Sequence, residues 1–520
     1  AAGLVSGGGL GAMYFGYDKK KMADPLRVGV IGTGDEGSVL IGALNPEYVQ
    51  CVAIADIRPY NVHRAFHGDW ASDAAYDARP GLMARYGWKS EDEAKQHVKV
   101  YDKDYRDLLK DENVEAIIIA LPLHLHAAVA VEAMTAADRG WRKKPLHVLT
   151  EKLMAHNVAQ CKVMGRVAEE QKVQLAVGHQ RHYSVLYDNA VNMMRWGLLG
   201  ELHHIRAQWH RGNLPGGDSW QQPLPGGEEL AAGGTYDQIA EELKKLQKAL
   251  KDERDPSKAQ QLAKRVEQWK AWNADAQLNA AAFGYQDITL ATGRKRTAME
   301  ELCRWRLWDR TGGGLMAELG SHQLDAASIF CSALRNDGKK AHPLTVHAVG
   351  GRNIFALDRD AEDHVYCMFE FPGPGYDPNF DVGYKDKYRG IPDPKNGVPP
   401  YEKDPNKKVV VTYSSIMGNG YGGYGEVVMG TKGTLILERE KEVMLYKDSD
   451  TSTSIGVKNG ANGPTMDTQA SGGGAPKAKA AEAQGPVSRG YTEEIEHFAY
   501  CIRFPDPENK PRCRAEVALG

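Results

Sequence analysis

Three glycines spaced Gly32-x-Gly34-x-x-Gly37 follow a short apolar run and open a helical pattern, with Thr33 and Glu36 between them. In such a turn the first glycine permits the tight bend and the second lets backbone approach a diphosphate. The third lets the helix press on the strand. The helix start offers unsatisfied N–H groups to an anion. Asp56 ends the next apolar run, 24 residues after Gly32, where an acid that accepts from ribose hydroxyls belongs. That combination predicts a dinucleotide site. Asp56 favours NAD, while Arg58, two residues on, keeps NADP open through its fit to a 2′-phosphate.

Two more groups could do chemistry beside it. Leu121 ends the run Ala-Ile-Ile-Ile-Ala-Leu over 116–121, and Pro122, His124 and His126 follow it. They therefore sit over the C-terminal edge of a sheet, where ligands of α/β proteins lie, unless the histidines merely cap the next helix. Glu151-Lys152 follows another strand in the same way. The last group comes after Gly312-Gly313-Gly314 and comprises Glu318, His322 and Asp325. On one helix Glu318 and His322 share a face, and Asp325 can accept from the imidazole and fix its tautomer. An acid–His–acid trio suits proton transfer to a hydroxyl or carbonyl. A metal held by Glu and His and a purely structural histidine are the rival readings. No further ligand cluster stands out, so no metal is expected.

The elements that must position these residues are readable from periodicity. Apolar runs at 26–31, 49–54, 116–121 and 146–149 alternate with helical stretches near 38–45, 63–86 and 126–136. Strand alternating with helix predicts a doubly wound parallel sheet over 26–152. The remainder, 153–520, reads as an α+β domain, beginning with a helix and a strand at 174–178. Its apolar or alternating runs near 202–209, 344–349, 364–371, 409–415 and 426–446 predict one mixed or antiparallel sheet, with a helix at about 316–334 packed on it. Two insertions interrupt it, at 213–300 and 372–408, and 449–488 is a low-complexity stretch read as extended or mobile. In the first insertion Ile239, Leu243, Leu246 and Leu250, then Leu262, Val266 and Trp269, step by four and three. This predicts a helical hairpin lying on its own domain, rather than one offered to a coiled-coil partner.

Composition narrows the class. The 520 residues carry Lys+Arg 65 against Asp+Glu 68, so no basic field exists for nucleic acid. Seven scattered cysteines without a Cys-x-x-Cys pair argue against zinc ribbons and disulfide frameworks. Residues 1–25 begin with an uncharged Ala/Gly-rich stretch to Tyr17, then three lysines at 19–21. The stretch is too glycine-rich for a membrane span and resembles the end of a twin-arginine leader, so export to the periplasm is the expectation. A flexible arm on a cytoplasmic protein is the alternative. The residues before Gly520 read as a final helix that the sequence cuts short.

Strand–GTGDEG, ADIRPYN, ALPLHLHAAVA, TEKLMAH, GHQRHY and GGGLMAELGSHQLDAA stand in the order of the Gfo/Idh/MocA oxidoreductases. The resemblance spans about 26–371 and resumes at 409–447. It implies an N-terminal Rossmann domain and a C-terminal domain whose open, mostly antiparallel sheet carries substrate residues and packs on a partner subunit, giving a homodimer or homotetramer. Lys152 matches the lysine of the family's Glu-Lys-Pro motif, and Glu318 and His322 match its acid-x-x-x-His pair. The implied reaction moves hydride between nicotinamide and a sugar or polyol carbon, with His322 as acid/base, Lys152 beside it and Glu318 on a neighbouring hydroxyl. Arg181, His182, Tyr183 and Asp325 would line the substrate pocket. Relatives that cleave glycosides through a 3-keto intermediate, and a non-catalytic assembly protein, are the other classes. Three departures stand out: Leu153 replaces the proline, Glu318 replaces the usual Asp, and Leu123 stands where Asn is common. The insertions are large enough to cover or narrow the site.

Overall fold

The computed structural model describes residues 8–230, 233–335, 338–380, 404–440, 442–447, 454–460, 463–469 and 489–520. Six strands, β1 (Leu26–Ile31), β2 (Val49–Ala55), β3 (Lys99–Tyr101), β4 (Ala116–Ile119), β5 (His147–Glu151) and β6 (Leu175–Gly178), form the first sheet. Their order is β3-β2-β1-β4-β5-β6, parallel throughout. β4 shows why its sequence is an unbroken apolar run. Ile117 and Ile119 enter a core with Val129 and Met134 on one face, while Ala116 and Ile118 meet Leu40 and Phe498 on the other. The strand order reverses between β1 and β4, which leaves a crevice at their C-terminal ends.

The second sheet has nine strands. In chain order they are β7 (Leu202–Arg211), β8 (Thr345–Gly351), β9 (His364–Pro372), β10 (Lys408–Met417), β11 (Tyr424–Gly430), β12 (Gly433–Glu438), β13 (Glu442–Lys447), β14 (Ser454–Gly460) and β15 (Gly463–Gln469). All neighbours are antiparallel except β10 beside β7. Helices Val185–Arg195 and Ser321–Ala333 cover one face, with Tyr187, Phe330, Ile205 and Val411 in their shared core.

Several expectations need correction. The strand near 174–178 completes the first sheet, because Val148 to Glu151 of β5 pair with Leu175 to Gly178. The first domain therefore runs past 152. The chain also returns to that domain at its end: the helix Tyr491–Arg503 puts Ile495 and Phe498 into the core behind β1 and β2. The expected helix over 63–86 is three helices, Pro59–His67, Asp73–Ala78 and Gly81–Tyr86. Gly68, at φ 81°, ends the first, and Ser72 caps the second through the Ala75 amide.

The inserted hairpin forms as helices Gln238–Asp252 and Pro256–Ala274, with Asp255 capping the second. It lies on the first domain rather than its own. Trp272 stacks on Tyr60 at 4.6 Å, and Gln268 bonds Trp70 N and Asp69 Oδ1. The exposed polar side of the Pro59–His67 helix offered partners that its own sheet did not. Of the low-complexity stretch, 454–460 and 463–469 add two strands to the sheet edge, which supplies free backbone groups to extend upon. The rest of that stretch, and 381–403 of the second insertion, lie outside the described residues. Within 1–25 the helix Gly8–Phe15 docks through Tyr14 on Asp188 and Asn189, and Tyr17 is buried against Glu496 at 2.6 Å. No helix among the described residues is long and apolar enough to cross a membrane.

Candidate active site

A cavity of about 520 Å³ opens over the crevice between β1 and β4, lined from the first domain, the second domain and the first insertion. Its floor is the glycine turn. Gly32 adopts φ +86°, and a Cβ there would stand 2.4 Å from the Ala120 carbonyl. A Cβ on Gly37 would stand 2.0 Å from the Gly32 carbonyl, so helix and strand close only without one. At Gly34 a Cβ would meet only Asn61 Nδ2, at 3.7 Å, and its outer side is open to the cavity. The helix Asp35–Ala43 begins with no side-chain cap, so its first amides keep their donors. This cradle fits a diphosphate.

Thr33 is buried and ties the turn to β2, donating from N and Oγ1 to Asp56 Oδ2 at 2.8 and 3.2 Å. Asn61 Nδ2 donates to the same oxygen at 3.0 Å. Asp56 Oδ1 takes only the Arg58 amide, at 2.9 Å, which leaves it acceptor capacity for a ribose hydroxyl. Arg58 Nε donates to buried Asp275 Oδ2 at 2.8 Å, 217 residues away, while Nη2 is buried without a partner among the described residues and Arg58 lines the cavity, so a 2′-phosphate role stays open. Glu36 lines the cavity with a buried, unpartnered Oε1.

Leu121 and Pro122 line the cavity as expected. His126 reaches it, yet both ring nitrogens face carbonyls, Leu153 O at 2.7 Å and Leu121 O at 2.8 Å, so neither is left for a ligand. His124 turns away toward the Thr311 carbonyl at 3.3 Å and does not line the cavity. Glu151 is buried at the cavity wall, and Oε1 has no partner. Burial, reinforced by the Glu36 charge, raises its carboxyl well above the ordinary range.

At the far end Lys152 Nζ donates to the Glu318 carbonyl at 3.0 Å. The Lys152–Leu153 peptide bond is cis. Glu318 lies in a π-turn, Met316–Gly320, that leads into the helix Ser321–Ala333. Its carboxylate is taken by Arg306 Nε at 2.8 Å rather than held free for a hydroxyl. Burial opposes its charge, but Arg306, Lys152 and Arg211 hold it below the usual carboxylate range. His322 is buried and does not line the cavity; its ring sits 5.4 Å from that of Trp209 and 6.4 Å from that of His179. Burial, then Lys152, Arg181 and His179, depress it well below the ordinary imidazole range, which favours its neutral form.

Four expected substrate contacts are placed elsewhere. Asp325 accepts from Lys340 Nζ at 2.7 Å and His182 Nε2 at 3.0 Å, so it fixes His182 rather than His322. Tyr183 is fully buried, with its hydroxyl on His497 at 2.9 Å. Arg181 is buried on Glu440 and Gln323, at 2.8 and 2.7 Å. The short 3-10 turn Gln180–Tyr183 directs these side chains inward. Conversely Trp305, Arg306, Phe283 and Tyr285 line the cavity and were not anticipated. The Trp-Arg run just before the Gly312 turn was the available signal for the first two. Among the described residues no group of three or more His, Cys, Asp or Glu is arranged to hold a metal.

Residues 26–179 match the Gfo/Idh/MocA family model, described as an oxidoreductase family with an NAD-binding Rossmann fold. A glycosyl hydrolase family 109 protein of Shewanella sp. (strain W3-18-1) is 28% identical over 187 residues, 36% of this chain and 35% of its own. Another, from Stenotrophomonas maltophilia (strain K279a), is 26% identical over 229 residues, 40% of this chain and 42% of its own. The matches thus span only about a third to two fifths of those relatives. An inositol dehydrogenase homolog from Azotobacter vinelandii, solved with NAD+, shares the fold with a TM-score of 0.53 at 12% identity, over 96% of this chain and 93% of its own.

Because Lys152 contributes to the depression of His322, Lys152→Met should move the His322 titration midpoint upward, toward but short of its ordinary value. Nitrogen-15 NMR of labelled histidine reads this directly. An unchanged or lower midpoint would show that the two groups do not interact.

Proposed function

With its N-terminal domain carrying the NAD-binding Rossmann fold of the Gfo/Idh/MocA oxidoreductases, we propose that this chain moves hydride between bound NAD and a hydroxyl-bearing carbon of a sugar, sugar derivative or polyol. The observation that carries the reading is the joint placement of the glycine cradle, Asp56 and Lys152 around one cavity. NAD when bound supplies the hydride acceptor and donor. The turn at Gly32 to Gly37 would take its diphosphate and Asp56 its ribose. The acceptor capacity of Asp56 Oδ1 favours NAD, and Arg58, whose Nη2 has no partner among the described residues, keeps NADP open.

Lys152 is the cation at the reacting end and would hold the substrate oxygen, stabilising charge as a proton leaves. His322, buried and outside the cavity lining but within electrostatic reach of Lys152, would be the base that receives that proton. Arg306 and Glu318 line the cavity next to Lys152, and their ion pair would orient the substrate rather than react. Lys152 and Glu318 both line the cavity, which weighs against a non-catalytic assembly role.

A second reading draws on the Shewanella and Stenotrophomonas relatives, which are glycosyl hydrolase family 109 proteins. The same residues would then oxidise a sugar hydroxyl only transiently while a glycosidic bond is cleaved. Net sugar release without net NADH would mark that outcome, and stoichiometric NADH would mark the first.

The oligomer and compartment are proposals of the same kind. On one face of the second sheet Val349, 70% exposed, stands beside Tyr366 and Met368, both also exposed. An exposed apolar cluster of this kind suits self-association as a homodimer or homotetramer. Export to the periplasm rests on the uncharged stretch before Asp18.

His322→Ala should cost roughly 10²–10⁴-fold in turnover with NAD affinity little changed. In wild type, turnover in the oxidative direction should hold until pH falls below the ordinary imidazole range, since the base is depressed. Retained turnover in the variant would remove His322 from the reaction. Val349→Lys should shift the species seen by light scattering toward the monomer; an unchanged mass would place any interface elsewhere.

A further inference from the structure

The alternation of β7 decides which of its side chains face the reacting end of the site. Ile205, Ala207, Trp209 and Arg211 share one face of the strand, because successive side chains point to opposite sides. On that face Ile205 shares a core with Phe330, and Ala207 shares one with Leu319, so it is the face covered by the helix Ser321–Ala333 and the π-turn before it. Trp209 stacks on Tyr424 at 4.6 Å, with the His322 ring 5.4 Å away. Arg211 is the next step along the same face, and its charged neighbours are Arg306 and Glu318. Its guanidinium carbon sits 5.8 Å from the centre of the Trp209 ring, a cation–π contact.

Charge is out of balance here. Arg306 Nε takes the Glu318 carboxylate at 2.8 Å, and Lys152 Nζ meets only the Glu318 carbonyl, at 3.0 Å. Among the described residues neither Lys152 nor Arg211 has a carboxylate within ion-pair distance. The other acids are engaged or neutralised. Asp35 and Glu36 act on Arg306 from the diphosphate side, Glu440 is shared by Arg181 at 2.8 Å and Arg489 at 3.2 Å, and burial raises Glu151 toward its neutral form. Arg211 is lowered from its ordinary value by burial and then by the like charge of Arg306, with Glu318 opposing. A half-buried cation without a counter-ion is costly, and an anion brought in by a ligand removes that cost.

We propose that the substrate carries a carboxylate and that Arg211 selects it, so that the chain acts on a sugar acid in preference to a neutral sugar. This rests on the hydride-transfer reading above and narrows its substrate class. The charges divide by role. Lys152 balances the alkoxide that forms at the reacting carbon, and Arg306 and Glu318 balance each other. Arg211 keeps one positive charge, which a single carboxylate matches and a phosphate dianion exceeds. Its planar fork of donors also fits a carboxylate through two parallel hydrogen bonds, and Trp209 behind it limits its rotation.

The test compares acidic sugars with their neutral counterparts on the full chain supplied with NAD+. The pairs are glucuronate with glucose, galacturonate with galactose, and gluconate with sorbitol; glucose-6-phosphate is the dianionic probe. Calorimetry reads binding and NADH absorbance reads turnover. At least one acidic member should bind about tenfold or more tightly than its neutral partner, the difference a charge-assisted bidentate contact supplies. Arg211→Met should erase that difference by weakening the acid alone, while NAD+ affinity, read in the same calorimeter, stays at the wild-type level and shows the fold intact. Arg211→Lys, which keeps the charge but not the fork, should restore part of it. The wild-type comparison stands by itself if Arg211→Met misfolds. Equal binding of acid and neutral sugar, preference for the phosphate, an acid preference that survives Arg211→Met, or no acidic sugar bound by protein that does bind NAD+ would each overturn the proposal. Protein that binds neither NAD+ nor NADP+ would instead overturn the hydride-transfer reading beneath it.

Discussion

The contact on which everything else depends is the backbone-to-backbone approach at Gly32 and Gly37. A side chain at Gly32 would collide with the Ala120 carbonyl, and one at Gly37 with the Gly32 carbonyl. Only with both absent can β1, β4 and the helix Asp35–Ala43 meet closely enough to aim free amides into the crevice. Thr33 then links that turn to Asp56, so the diphosphate and ribose positions form one rigid unit. The second domain and the insertion are placed relative to this unit, by Lys152 on Glu318 at one end and Arg58 on Asp275 at the other.

Charge divides the cavity by function. At the reacting end three cations, Arg306, Lys152 and Arg211, act on the single carboxylate of Glu318 and keep it ionised despite burial. Burial first, then Lys152, Arg181 and His179, disfavours the charged form of His322. A neutral imidazole within reach of an ammonium suits abstraction of a proton from an alcohol, because the ammonium stabilises the alkoxide that forms. Glu151 and Glu494 follow the opposite logic: buried near Glu36 and each other without cations sufficient to ionise them, both are raised well above the usual range.

What could be read from residue order was whatever depends on local spacing. The glycine turn, the acid ending β2, the β4 run buried on both faces and the four-three stepping of the hairpin are properties of contiguous segments, and they stand as expected. What failed depends on residues distant in sequence. Asp325 looked like a partner of His322 until His182 and Lys340 filled it. The Gln180–Tyr183 turn, although rich in ligand-like side chains, is buried by the helix Tyr491–Arg503 that returns from the far end of the chain. The hairpin's shape was legible and its seat was not, since amphipathic periodicity says that a face is buried but not against what.

The most direct measurement is a crystal structure of the chain with NAD+ bound. The diphosphate should lie against the Gly34 backbone and the first turn of the Asp35–Ala43 helix, with the nicotinamide beside Lys152. A nucleotide seated with its nicotinamide remote from Lys152, or bound outside this crevice, would contradict the assignment.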